Sequence, residues 1–262
     1  MYIEIRNPNS PGTMLNDNTD HNIIYFMKFI NNLGDSKMDY KAFQKRMDDE
    51  DITTESYIRS SFPFYRYAGL INEYTTIDKN LFTKLGNALY ECLDTLYTIK
   101  DESDEEAKKI YKQFNELKIT IAKQALNNLI NNKACGYGIV FKQILNFLYD
   151  YESITEAEFA LIIAQLNNEK SVPITETANI IKKNRNGTDP ISFKVKSLNK
   201  TTNQTQYVNK TNCFSYFMGT LEYTGYIEKE NNRYYLDKTT KETIKKLYGG
   251  KYEWRIKKCC YW

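Results

Sequence analysis

The chain has 262 residues, 41% of them hydrophobic and 26% charged, with 36 Lys+Arg against 33 Asp+Glu. That is the make-up of a globular protein with room for two modest domains, and no run approaches the ~18 apolar residues of a membrane span. Five cysteines without CxxC spacing and one histidine argue against structural zinc, and the opening residues lack the apolar core of a secretion signal, so a cytoplasmic location with free thiols is expected.

Residues 1–18, centred on Arg6-Asn7-Pro8-Asn9-Ser10-Pro11, read as an irregular arm. Ile23, Ile24, Phe26, Met27 and Ile30 then mark a first helix from about Asn22, closed near Gly34. Met38 to Asp49 reads as a second helix. Thr54 caps a third, which turns Ile58, Phe62 and Tyr65 inward and which Pro63 is expected to kink or divide. Gly69, a polar hairpin and a helix from Lys84 to Leu96 follow.

Asp101 to Glu106 suits the first turn of a long helix, where negative charge is favourable. Ile110, Phe114, Leu117, Ile121 and Ala125 carry that helix forward as a bridge between the two halves of the chain. Further helices are expected at about 139–149, 156–166 and 174–185, the second opened by a capping box from Thr155 to Glu158. Asn186 to Lys210 is polar and reads as a long loop or insertion. Phe214, Phe217, Met218 and Leu221 then form one helical stripe, and Gly225 can close that helix in a left-handed conformation. Tyr226-Ile227 and Tyr234-Tyr235-Leu236 flank the turn signal Asn231-Asn232 as a hairpin, and a last helix begins near Thr240.

One unit occurs twice. Tyr67-Ala68-Gly69-Leu70-Ile71 echoes Tyr223-Thr224-Gly225-Tyr226-Ile227, each following an aromatic-rich helix and preceding a polar hairpin and another helix. The expected fold is therefore mainly α with small β-hairpin wings: tandem winged-helix (helix-turn-helix) modules joined by a bridging helix. The expected divisions are an arm and first module at 1–100, the bridge at 101–132, the second module at 133–250, and a tail or linker at 251–262.

The charge is uneven. Residues 171–262 hold 17 Lys+Arg against 8 Asp+Glu, and the remainder 19 against 25. A basic half fits a phosphate-facing surface. The candidate DNA contacts are Arg6 and Asn9 on the arm, with Ser56, Arg59, Ser60 and Arg66 on the third helix. Lys182, Lys183, Arg185, Lys194, Lys196 and Lys210 lie in the basic half, and Asn212, Ser215 and Tyr216 on the helix before Gly225. On that last helix the apolar stripe must face the core, which leaves Asn212, Ser215, Tyr216 and Gly219 outward. Arg59 is the strongest base-reading candidate, because a guanidinium can bond guanine O6 and N7 together.

No catalytic centre is evident. Metal-assisted phosphodiester hydrolysis needs strand-borne acids, including an acid-x-Lys pair. The matches Asp35-Ser36-Lys37, Glu106-Ala107-Lys108 and Glu116-Leu117-Lys118 fall in a loop or on the bridging helix. After Asp189-Pro190, Lys194 occupies the place of the acid. One histidine cannot serve a Ser-His-Asp or Cys-His arrangement convincingly, and no cofactor or metal is expected.

Three stretches resemble the N-terminal recognition region of type IIS restriction endonucleases and related nicking endonucleases. They are Gly138 to Leu145 with Ser153 to Phe159, Ser215 to Leu236 around Tyr223-Thr224-Gly225-Tyr226-Ile227, and Tyr57 to Leu85 with Pro63 and Gly69-Leu70-Ile71. Pro8-Asn9-Ser10-Pro11 is similar to that family's N-terminal arm. The resemblance implies recognition of an asymmetric double-stranded DNA site, with cutting by a separate nuclease domain or subunit, so that this chain is not an enzyme by itself. The alternatives are a winged-helix transcriptional regulator, a plasmid or phage replication initiator, or a protein-interaction scaffold.

Overall fold

The computed structural model describes residues 1–6, 10–167, 176–198, 205–211 and 213–248. In chain order its elements are β1 (Tyr2–Arg6), α1 (Asp17–Leu33), β2 (Met38–Asp39), α2 (Tyr40–Asp49), α3 (Glu55–Tyr67), β3 (Thr76–Ile77), α4 (Lys84–Ile99), α5 (Glu105–Asn131), α6 (Gly138–Tyr151), β4 (Ser153–Ile154), α7 (Glu156–Leu166), α8 (Thr177–Arg185), β5 (Ser192–Leu198), β6 (Thr205–Val208), α9 (Phe214–Tyr223), β7 (Ile227–Glu230), β8 (Arg233–Leu236) and α10 (Lys241–Tyr248). The fold is mainly helical with small sheets, as the periodicity predicts. No described helix is long and apolar enough to cross a membrane.

The chain forms two compact units. A helical unit comprises Pro11–Gly138 and Gly219–Gly225; a mixed unit comprises Met1–Ser10, Ile139–Met218 and Tyr226–Trp262. The tail expected at 251–262 lies outside the described residues.

In the helical unit α1, α2 and α3 meet through Phe26, Phe43 and Phe62, each fully buried, with all three ring pairs 5.7 Å apart. Burying each such ring stabilises the fold by roughly 1.5–3 kcal/mol. Helix α1 starts earlier than its apolar spacing suggests, because the Asn16 side chain accepts from Thr19 N–H at 2.9 Å and caps a polar first turn. Thr54 caps α3 as expected, and α3 continues through Pro63 as one helix instead of dividing. Pro63 simply contributes no N–H to the Arg59 carbonyl. Gly34 and Gly69 adopt φ of 59° and 73°, the left-handed backbone that favours glycine. Strand β2 pairs antiparallel with β3, and Ile71 bridges to Phe82. Helix α5 lies along α4, where Cys92 Sγ donates to the Phe114 carbonyl at 3.0 Å.

The mixed unit has a core of Phe141, Phe159 and Phe217, all fully buried. Its short strand β4 pairs with β8, and β8 with β7, giving the sheet order β4-β8-β7. Asn231 and Asn232 both take positive φ, of 47° and 62°, at the turn between β7 and β8, which is the backbone two-residue hairpins demand. The Thr155–Glu158 capping box forms as expected.

The structure corrects further expectations drawn from the sequence: Met38 and Asp39, read as the start of the second helix, form β2, and Asp39 caps α2. The arm 1–18 is not irregular throughout: Tyr2–Arg6 is a strand, paired in parallel with β5. The polar interval 186–210 contains β5 and β6, which pair antiparallel, so a second sheet of order β1-β5-β6 stands where a loop was expected. Strands β1 and β5 alternate polar and apolar residues, and half of such a strand must look like loop, while β6 is exposed throughout.

Candidate nucleic-acid interface

The β1-β5-β6 sheet gathers candidate residues that are far apart in sequence. In β1 the inner residues Ile3 and Ile5 are buried, while Tyr2, Glu4 and Arg6 are exposed. In β5 Val195 is fully buried, while Ser192, Lys194 and Lys196 are exposed. Helix α7 covers the inner face against β1 and β5. The register places Glu4 beside Lys194 and Arg6 beside Lys196, and on the other side Lys196 beside Tyr207. One face thus carries a row Arg6–Lys196–Tyr207 across three strands. A shallow depression lined by Glu4, Ile5, Arg6 and Lys196 lies there.

Arg6, Lys194 and Lys196 are brought together, though on a strand face and not along a loop. Tyr207 and Tyr2, 46% and 53% exposed, are the members of this face that the charge pattern does not find. The alternation in Tyr2-Ile3-Glu4-Ile5-Arg6 and in Phe193-Lys194-Val195-Lys196 is the signal that could have found it. Lys210 is exposed just after β6, and Lys182 and Lys183 are exposed on α8.

Arg185 is different. Its Nε donates to Glu158 at 2.7 Å, and its terminal nitrogens donate to the carbonyls of Tyr151 at 2.9 Å and Ser153 at 2.7 Å. Arg233 stands 3.6 Å from the other Glu158 oxygen, and Glu158 is fully buried. A buried carboxylate needs such partners, so Arg185 ties α8 to α7 and β4 and commits three of its five N–H groups there.

In the helical unit α3 turns Ser56 and Arg59 to solvent, with Ser60 and Arg66 half-buried. Ser60 donates to the Tyr57 carbonyl at 2.9 Å. Arg66 pairs with Glu73 at 3.4 Å and lies 4.9 Å over the Tyr67 ring. On α9 Ser215 is exposed and Tyr216 half-buried. Gly219 does not face open solvent: a Cβ there would come within 2.3 Å of Met14 Sδ, so the missing side chain lets residue 14 lie against the helix. Asn9 and Asn212 lie outside the described residues.

The same side of α9 carries a buried polar cluster. Tyr223 donates to Asp20, whose other oxygen is 3.7 Å from Lys118 Nζ, and that ammonium lies 4.8 Å over the Tyr223 ring. Burial pushes the Asp20 carboxyl up to about 6 against the pull of Tyr223 and Lys118, and the same burial pushes the Tyr223 hydroxyl well up. The cluster ties α1, α5 and α9.

The lysines of the acid-x-Lys matches are paired with other acids, Lys108 with Glu105 at 2.8 Å among them. Asp35 pairs with Lys79 at 2.5 Å and Lys37 with Asp78 at 3.4 Å, while Lys118 faces Asp20. Asp189 pairs with the Met1 amine. Among the described residues no three His, Cys, Asp or Glu side chains group to hold a metal ion. No protein-family model, no curated protein and no solved structure matches this chain.

Proposed function

We propose that the chain binds double-stranded DNA at a specific, asymmetric site through two winged-helix modules. It would serve as the target-recognition part of a restriction or nicking endonuclease whose nuclease is a separate domain or subunit. The observation that carries this reading is an order of elements used twice. Helix, short strand, two helices, a glycine with positive φ, the strand that pairs with the short one, and a closing helix follow as α1-β2-α2-α3-Gly69-β3-α4. They recur as α6-β4-α7-α9-Gly225-β8-α10, with α8, β5 and β6 inserted after α7 and β7 preceding β8.

In such an order the helix before the hairpin is the one suited to a major groove about 12 Å wide. Helix α3 supplies Ser56 and Arg59 on its exposed face. Arg59 reads a base edge, and the exposed Lys182, Lys183 and Lys210 of the mixed unit neutralise phosphates, which positions the duplex without reading it.

Selection from random duplex DNA tests this reading and should return one asymmetric sequence. Arg59→Ala then relaxes preference at one or two base pairs by ~1–3 kcal/mol. Equal weakening on every sequence would make Arg59 a phosphate contact, and no duplex binding at low salt would end the proposal. A supercoiled plasmid carrying the selected site should stay uncut in Mg²⁺ or Mn²⁺; cleavage would reveal a catalytic centre in this chain.

A further inference from the structure

We propose that the outer face of the β1-β5-β6 sheet is a binding platform for single-stranded nucleic acid. The inference does not rest on duplex recognition by α3. It begins with a like-charge pair: Arg6 and Lys196 sit side by side in register, and neither has an ion-pair partner among the described residues. Adjacent like charges on one sheet face disfavour the fold. An anion bridging them removes that repulsion, and a phosphate is an anion that both a guanidinium and an ammonium bind well. Lys194 differs in having an acid, Glu4, as its register neighbour, whereas the register neighbour of Lys196 is itself a cation.

The second observation is aromatic. Tyr207 continues that row on β6, and Tyr2 stands at the far end of β1, so the two tyrosines occupy opposite corners with the cations between them. About half of each is exposed, and they share this one face with the two cations. From residue 2 to residue 6 the strand advances roughly 13 Å, which gives room for a few nucleotides. An unpaired base can stack on a tyrosine ring while its phosphate meets a cation, and this pairing of platform and basic groove is how sequence-tolerant single-strand binding is built. Glu4 adds an acceptor for an exocyclic amino group of cytosine or adenine.

A duplex fits this face poorly. Three strands place the outer two about 10 Å apart before their side chains are counted, so the sheet cannot enter a major groove about 12 Å wide. A duplex could touch only the cations, and its paired bases would leave both tyrosines without a partner. The occupant that uses every exposed group on the face is an unpaired strand.

The experiment uses the full chain and fluorescein-labelled 12-nucleotide DNA and RNA single strands of mixed sequence, with the matching DNA duplex, read by anisotropy at 50 and 200 mM salt. At least one single strand should bind more tightly than the duplex. Tyr207→Ala should weaken it about tenfold, Tyr207→Phe should retain binding, and Arg6→Ala with Lys196→Ala should weaken binding and flatten its salt dependence. The DNA and RNA arms decide whether the 2′-hydroxyl is read. Arg59→Ala should leave single-strand binding unchanged, which separates this inference from the duplex reading. As a check that needs no variant, photocrosslinking of a 5-iodouracil strand to the unmodified protein should label Tyr207 or Tyr2. Labelling confined to other residues, or single-strand affinity that Tyr207→Ala and the double variant leave intact, would overturn the proposal.

Discussion

Helices α3 and α9 are copies of one sequence idea, offset by 156 positions, and they end alike. Gly69 closes α3 at φ 73° and Gly225 closes α9 at φ 65°. They also turn the same positions outward: Arg59 and half-buried Arg66 on α3 match exposed Ser215 and Glu222 on α9. The chemistry on that shared face is opposite. Helix α3 offers two guanidiniums, α9 a hydroxyl and a carboxylate. Beside the α9 face residue 14 fills the space left by Gly219, and the Leu15 N–H donates to Thr220 Oγ1 at 3.2 Å. A repeat of supersecondary structure repeats the packing that makes the unit stable, and it leaves the outer face free to diverge. The proposed base reading therefore falls mainly to α3, while the Gly219–Thr220 side of α9 holds structure.

The most direct way to break this comparison is to give α3 the residues of α9. Arg59→Ser with Arg66→Glu should cost about 3 kcal/mol or more of duplex affinity at the selected site, at ~1–3 kcal/mol for each lost contact. Thermal melting checks that the fold survives, since both positions are at least partly exposed. The reciprocal change Glu222→Arg should leave sequence preference untouched. If the double variant binds as the parent does, α3 is not the reading helix and the two helices are functionally alike.

A second difference is buried charge. Tyr223 of α9 meets Asp20, whereas its counterpart Tyr67 lies beside the Arg66 guanidinium. Asp20 is only 12% exposed at its side chain and titrates near 6, above the ordinary 3.8. The folded chain therefore binds this proton more tightly than the unfolded chain does. Stability from this group is fully present below about 3.8 and is lost as pH rises to about 6. Holding the proton over that window is equivalent to about 3 kcal/mol at most. Asp20→Asn should remove that slope, so the stability difference between parent and variant should change by up to that amount between pH 7 and pH 4. A constant difference across the window would show that Asp20 titrates normally.

How much of this was legible in the sequence depends on the range over which each signal acts. Caps and helix closures are local, so Thr54, Thr155 with Glu158, Gly34 and Gly225 could be read directly. Strand β1 pairs with a strand some 190 residues away, and five alternating residues before a proline-rich stretch carry no trace of that partner. Strand β5 hid inside a polar interval because its outer face is polar by design of the pleat. The structural role of Arg185 was hidden for another reason. The capping box already accounted for Glu158, so nothing in the local pattern announced that a buried carboxylate required a guanidinium from α8. The exposure of Ser56 and Arg59 on α3 could be read because surface residues on a helix follow from its inner stripe alone.

The smallest expected effect tests the helix closures themselves. Alanine at either glycine must adopt a left-handed backbone, which costs roughly 1–2 kcal/mol for an L-residue. At Gly225 the added Cβ finds only Ile119 Cγ2 at 3.7 Å, an ordinary contact, so Gly225→Ala should cost about 1 kcal/mol by that effect alone. At Gly69 the Cβ would lie 2.6 Å from Asn128 Nδ2, the atom that donates to the Ala68 carbonyl at 2.9 Å. The Asn128 amide must turn away and surrender that bond, worth about 1 kcal/mol more. Gly69→Ala should therefore cost about 2 kcal/mol in chemical denaturation, and Asn128→Ala in the same background should add little, because the bond is already gone. Equal costs at the two glycines would mean that the asparagine is not part of the α3 closure, and the repeat would then be closed by backbone geometry alone.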